Sequence, residues 1–218
     1  DILEKAEDFD LAVHDLIKKY LTEHQRIVFN GNGYSDAWVE EAERRGLPNI
    51  KSMVDAIPAL TTEKAVALFE KFHVFTKAEL ESRAEIQYET YAKAINIEAK
   101  AMIDIASKQI IPAVIKYTKS LADTVNSVTA AGAEASVQSE LLAETSGLLS
   151  DTKVALQKLI DLDKKSEEVP EGSELAHYFH EEIVPAMAEL RAPVDPLEMI
   201  VDKELWPMPS YGDLMFEV

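Results

Sequence analysis

The sequence predicts an all-α fold: a helical bundle with a long antiparallel two-helix hairpin and an extended C-terminal tail rich in aromatic residues and proline. Three observations carry this expectation. Apolar residues recur at three- and four-residue steps through most of the chain, the spacing of one helix face. Neither glycine nor proline interrupts the span from Ala59 to Ile111, so nothing there punctuates a helix. No stretch alternates long enough for a strand, and Arg26–Phe29 is the only candidate.

The elements follow in order. Ile2, Leu3, Ala6, Phe9, Val13, Leu16, Ile17 and Tyr20 mark a first helix that runs to about Ile27. It meets the loop Asn30-Gly31-Asn32-Gly33-Tyr34, whose Asn-Gly pairs are expected to adopt positive φ. Ser35 caps a helix carrying Trp38, Val39 and Ala42, and Gly46 with Pro48 beyond stops it. Another helix is expected over Glu63–Phe72. Thr76 and Glu79 form a capping box for a helix from about residue 77 to 129, roughly 80 Å long at 1.5 Å per residue.

One face of that helix is Leu80, Ala84, Tyr88, Tyr91, Ile95, Ala99, Met102, Ala106, Ile110, Tyr117, Leu121, Val125 and Val128. A second row, Ile86, Ala94, Ile97, Ala101 and Ile105, predicts that its middle is covered on two sides. Pro112 kinks it, because the ring removes an N–H and meets the carbonyl of Lys108. Ala130–Ala133 makes the turn into a second long helix with Leu141, Leu142, Leu148, Leu149, Leu156, Leu159 and Ile160, loosened locally at Gly147. Residues 76–168 are this hairpin. An acidic linker, Asp161–Gly172, leads to a helix over Ser173–Leu190 that Pro185 bends. From Pro193 the chain reads as a short helix near Leu197–Glu204 and then extended chain, so residues 169–218 form a short helix and a tail that packs back.

Composition narrows function. Apolar residues make up 47 % of 218, and a chain of this size buries roughly 70 % of its unfolded surface, as one large domain or two small ones. Forty acidic against 22 basic residues give a net charge of −18, which repels a phosphate backbone or an anionic bilayer, so neither nucleic acid nor membrane is an expected partner. Zero cysteines exclude disulfides and thiolate chemistry and fit a reducing cytoplasm. The first ten residues carry five acids and one lysine, unlike a signal peptide. The chain opens on Asp1, already inside a helical pattern, and reads as a piece of something longer.

Three constellations invite chemistry. Glu174 and His177 have the E-x-x-H spacing of di-iron bundles, but such bundles need it twice, plus two further glutamates. With His180, Glu181 and Glu182 it reads as a solvated acidic face; His14, His24 and His73 are scattered, and no metal site is expected. Asn30–Gly33 lacks the preceding strand and the Gly-Lys-Ser/Thr ending of a phosphate loop, so it reads as a turn. Trp206, Tyr211 and Phe216, with Pro207 and Pro209 holding the chain extended between the first two, suit interface anchors and the last piece of the chain's own core equally, a strip lying in a groove of the N-terminal helices or of a domain outside this chain. No catalytic residue, cofactor-binding residue or metal ligand is expected in this chain.

Three stretches nevertheless carry a resemblance. Arg26-Ile27-Val28-Phe29-Asn30-Gly31-Asn32-Gly33-Tyr34-Ser35-Asp36-Ala37-Trp38-Val39-Glu40-Glu41-Ala42-Glu43-Arg44-Arg45-Gly46-Leu47-Pro48-Asn49 is one. Ile95-Asn96-Ile97-Glu98-Ala99 with Lys108-Gln109-Ile110-Ile111-Pro112-Ala113-Val114 is another, and Trp206–Phe216 the third. In order and spacing they resemble the type III glutamine synthetases. The resemblance implies a C-terminal, largely helical region after the catalytic domain of an enzyme that joins ammonia to glutamate. That enzyme uses ATP and Mg or Mn, passes through a γ-glutamyl phosphate and forms a ring-based oligomer. Residues 1–75 then continue from a missing catalytic domain. The expected partners are that domain and neighbouring subunits, in a homo-oligomer. The family's ATP loop, metal carboxylates and phosphate-facing arginines have no counterpart here, so no catalytic role transfers to a numbered residue. The rival reading from another class is a free-standing helical adaptor.

Overall fold

The computed structural model describes residues 7–216, so the start of the first expected helix (Ile2, Leu3, Ala6) lies outside the described residues. The described residues contain helices and no strand. They divide after Lys51 into two units.

In the first unit, α1 spans Phe9–Glu23, and the Asp8 carboxylate accepts the Leu11 N–H at its start. None of its residues is buried; Phe9, Leu11, Ile17, Tyr20 and Leu21 are each more than half exposed. The candidate strand at Arg26–Phe29 is instead a 3₁₀ turn over Gln25–Ile27 followed by irregular chain. Helix α2 spans Asp36–Arg44 and stops where Gly46 takes φ +67°, a conformation with no steric cost only for glycine. Arg45 at its end is a clamp. Its guanidinium donates to the carbonyls of Arg26 (2.9 Å) and Val28 and to Glu41, and lies 5.9 Å from the Phe29 ring centroid. Phe29 in turn packs on Trp38 with ring centroids 4.7 Å apart. A planar fork of donors makes this three-way contact possible where an ammonium would not.

In the second unit, α3 (Met53–Ala56), a 3₁₀ turn (Ile57–Thr61) and α4 (Glu63–Lys71) precede the long helix. Sequence periodicity misses Met53–Thr61 because the stretch is too short to show a period. The capping box forms as expected. The Thr76 N–H donates to Glu79 Oε2 (2.7 Å), and the Glu79 N–H donates to Thr76 Oγ1 (3.4 Å).

Helix α5 runs Lys77–Ile105, a π-turn occupies Ala106–Ile110, and α6 continues over Ile111–Ala130. The disturbance expected at Pro112 therefore lies before it. The Ile111 N–H reaches back five residues to the Ala106 carbonyl, and the wider turn relieves the clash of the proline ring with the carbonyl four residues earlier. After the turn around Gly132 (φ +81°), α7 spans Ser136–Ser166 without a break at Gly147. Helix thus replaces the first half of the expected linker.

After Gly172 (φ +88°) come α8 (Ser173–Tyr178), a second π-turn (Phe179–Ile183) and α9 (Val184–Ile200). Pro185 stands in the same relation to its π-turn as Pro112 to the first. Helix α9 also passes through Pro193 and Pro196, where the sequence predicts its end. Pro193 and Leu197 are buried one turn apart, and that burial offsets the roughly 3 kcal/mol of an interior proline. Part of the tail is not extended: Tyr211–Phe216 forms α10, started by a reciprocal pairing of Ser210 with Asp213.

Packing explains the arrangement. Ala92, Ala99 and Ala106 recur every seven residues on α5 and its π-turn, and such small side chains let neighbouring helices approach closely. They share one core with Leu156 and Leu159 of α7, Phe179 and Ile183 of the second π-turn, and Ala186 and Leu190 of α9. A second cluster joins Val54, Ile57, Ala84, Tyr88 and Ala176. A third joins Ile110, Val114, Leu197 and Val201, with Leu148, Leu149 and Trp206 packed against it. The first row of the long helix is thus buried or half-buried throughout. The second is so only at Ile105, which packs on the third cluster; Ile86 is 57 % and Ile97 70 % exposed, so the other helices of the second unit leave that part of the stripe uncovered.

Two predictions follow from these contacts. Phe179→Ala removes the largest fully buried side chain and should lower stability by about 3–5 kcal/mol in urea unfolding, whereas Ile97→Ala should change it by about 0.5 kcal/mol or less. Hydrogen bonds from Arg44 and Arg45 hold the Glu41 carboxyl at about 2 instead of 4.5. A depressed folded value means that its contribution is complete above about 4.5 and fades as pH falls towards 2. Carbon-detected NMR should place the Glu41 midpoint near 2, and Arg44→Gln with Arg45→Gln should return it to the ordinary carboxylate range.

Candidate functional site

The E-x-x-H pair sits where α8 meets α3 and α5, and its parts are used for tethering. The His177 Nδ1–H donates to the Ser173 carbonyl at 2.8 Å, and Nε2 lies 4.0 Å from Asp55 Oδ1. The imidazole is 6.2 Å from the ring of Tyr88. Glu174 is exposed and does not join it. His180 takes a different partner, with Nδ1 3.2 Å from the Tyr91 hydroxyl. Burial, and after it the Glu98 charge, push that hydroxyl above its ordinary pKa, so it stays protonated at neutral pH.

His14, His24 and His73 stay apart: His14 contacts Asp15, His24 ends α1, and His73 takes φ +54° in the turn after α4. Among the described residues, no grouping of three or more His, Cys, Asp or Glu side chains is placed to hold a metal ion.

The Asn30–Gly33 loop is a turn built differently from the expectation. Neither Gly31 nor Gly33 has positive φ. The Asn32 carboxamide oxygen accepts the Tyr34 N–H at 3.0 Å, and the Ser35 hydroxyl donates to the Asn32 carbonyl at 2.7 Å. Ser35 therefore ties the loop together and makes no side-chain cap to α2. Gly31 answers to space, since a Cβ there would come within 2.6 Å of the Phe29 ring. The Asn32 carboxamide oxygen and the Ser35 hydroxyl are thus spent on the loop's own turn.

The aromatic strip divides. Trp206 is half-buried against the third cluster, and its indole nitrogen is enclosed without a hydrogen-bond partner. Tyr211 and Phe216 are 85 % and 78 % exposed, so they lie in no groove of this unit. Asp213 is held far below the usual carboxylate range by Lys203 first and Ser210 second, which anchors α10 with its aromatic residues outward. The exposed apolar side chains of α1, α5 and α10 are surface features that a search for reactive side chains passes over. Periodicity is the sequence signal that could have found them, because it shows more apolar rows than one bundle interior can accept.

A family profile described as "Glutamine synthetase C-terminal domain" matches residues 12–129. A protein of Dictyostelium discoideum named "Type-3 glutamine synthetase" is 34 % identical over 97 % of this chain and 30 % of its own length. The "Glutamine synthetase" of Butyrivibrio fibrisolvens is 33 % identical over 94 % of this chain. That of Bacteroides fragilis (strain YCH46) is 28 % identical over 99 %. The chain spans about 30 % of the length of these curated relatives, and it belongs to the glutamine synthetase C-terminal domain family.

Proposed function

We propose that this chain is the C-terminal helical part of a type III glutamine synthetase and serves its assembly, the catalytic groups lying in the rest of the protein. The observation that carries the ligase context is the match of nearly the whole chain to 30 % of each relative. The reaction it would support joins ammonia to glutamate with ATP. The residues present do not fit the metal-bound nucleotide of that reaction, since phosphoryl transfer needs positioned cations and no suitable donor grouping occurs among the described residues.

The assembly role rests on surface physics. The uncovered stripe of α5 and the exposed face of α1 are apolar, and large exposed apolar patches mark interfaces. We assign the α5 stripe to a neighbouring subunit and the α1 face to the catalytic domain of the same protein. The absence of cysteine supports a cytoplasmic setting, and no helix among the described residues is long and apolar enough to cross a membrane.

Two measurements test this reading. The purified chain should form no glutamine and give no heat of binding with ATP and Mg²⁺; micromolar binding in calorimetry would overturn the division of labour. Replacing residues 76–165 by a short linker in the full protein should change its oligomeric state in light scattering. A particle mass altered only by the deleted residues would remove the assembly role.

A further inference from the structure

The first unit carries one surface whose charge runs against that of the chain. Ile17 and Leu21 stand one turn apart on α1 and share a groove with Val28, which follows the 3₁₀ turn. All three are exposed, at 54 %, 61 % and 43 %. Gln25 and Val28 also line the neighbouring opening, so the groove continues into a space walled by Arg26, Arg44 and Arg45. Arg45 fixes the junction by donating to the carbonyls of Arg26 and Val28.

The chain has five arginines against 40 acids, yet three of the five surround this one opening. Among the described residues, no carboxylate lines either space. Glu41 offsets only one of the three charges, because Arg44 and Arg45 share it. Among the described residues, the Arg26 guanidinium has no hydrogen bond or ion pair, and the Lys18 ammonium, beside the groove, has no ion pair. Neighbouring cations repel, and an oxyanion between them relieves the repulsion, most directly a carboxylate held by guanidinium forks.

Shape selects the kind of ligand. Small molecules bind where most of their surface is enclosed, and both spaces here are shallow. A shallow apolar groove that ends on arginines fits a length of polypeptide laid along it. A nucleic acid or an anionic bilayer would also meet the rest of a chain whose net charge is −18, which repels it. The chain spans about 30 % of its relatives' length. In a protein of that length most of the polypeptide lies outside these residues and is tethered to them, which raises its effective concentration.

We propose that a segment of the same protein outside these 218 residues docks on this surface. It sets apolar side chains against Ile17, Leu21 and Val28 and a carboxylate on Arg26 and Arg44. The inference rests on the assignment of the α1 face to the catalytic domain and deepens it by naming the chemistry of the segment that covers that face.

Two measurements separate the two claims. Carbene labelling of Ile17 and Leu21 tests the covering alone, and it should fall in the full-length protein relative to this chain. Carbodiimide coupling, which joins an ammonium to a carboxylate in contact with it, tests the charge of the covering segment. Mass spectrometry of the coupled, digested full-length protein should find Lys18 joined to an Asp or Glu outside the 218 residues. Arg26→Glu should abolish that link and raise the labelling of Ile17 and Leu21 towards the level of the chain alone. Lys153→Glu, the same change of charge at an exposed site on α7, should alter neither. No link at Lys18, a link only to carboxylates within the 218 residues, or a link undiminished by Arg26→Glu would overturn the inference. If Ile17 and Leu21 are protected while Arg26→Glu changes nothing, a segment of other chemistry covers the face and only this inference fails. Equal labelling of both residues in the two samples removes the underlying assignment as well.

Discussion

A proline inside a long helix has no N–H to donate and collides with the carbonyl four residues earlier, and the second unit of this protein is organised around two such residues. Pro112 and Pro185 each follow a five-residue π-turn by two positions. In each case the last N–H before the proline reaches back five residues, from Ile111 to Ala106 and from Val184 to Phe179. The wider turn spares the helix a break. It also changes which side chains face inward, and the residues it turns inward build the main core. Ala106, Phe179 and Ile183 all come from π-turns, and all lie in the cluster that joins α5, α7 and α9. The third cluster starts at Ile110, the last residue of the first π-turn, and continues through Val114. Two local backbone conflicts thus determine where three helices can meet.

That solution leaves surface unused. The small residues that bring α5 against α7 and α9 occupy one face of the helix. The stripe through Ile86 and Ile97 on another face is left open by the described helices of the second unit. Several polar side chains, by contrast, are committed to structure: His177 holds the α8 backbone, His180 meets Tyr91, Arg45 gathers the loop before α2, and Asn32 closes its own turn. A chain that uses its histidines as tethers and exposes rows of apolar side chains outside its core has the physics of an interaction region. The family context gives that reading its setting.

The sequence made the regular parts legible. The capping box at Thr76, the stop at Gly46 and the buried row from Leu80 to Val128 follow from spacing and propensity alone, because each is a local rule with a local energy. Where tertiary packing decides, the sequence is silent. Pro193 looks like a terminator until Leu197 and Val201 are seen in the same cluster. Asn30–Gly33 looks like a positive-φ turn until the Phe29 ring is seen against Gly31. The π-turns have no propensity signature of their own, and only the paired prolines announce them afterwards. The E-x-x-H spacing puts Glu174 and His177 on one helix, but which neighbour each histidine meets depends on α3 and α5, which no local pattern specifies.

The central claim is that the uncovered stripe of α5 becomes an interface in the complete protein. Carbene footprinting of side chains reads this directly, by comparing this chain with the full-length protein, proposed above to be an oligomer, under the same conditions. The account expects Ile86 and Ile97 to be labelled in the chain alone and protected in the oligomer, with the already buried Leu156 and Leu159 unlabelled in both. Equal labelling of Ile86 and Ile97 in the two samples would contradict it.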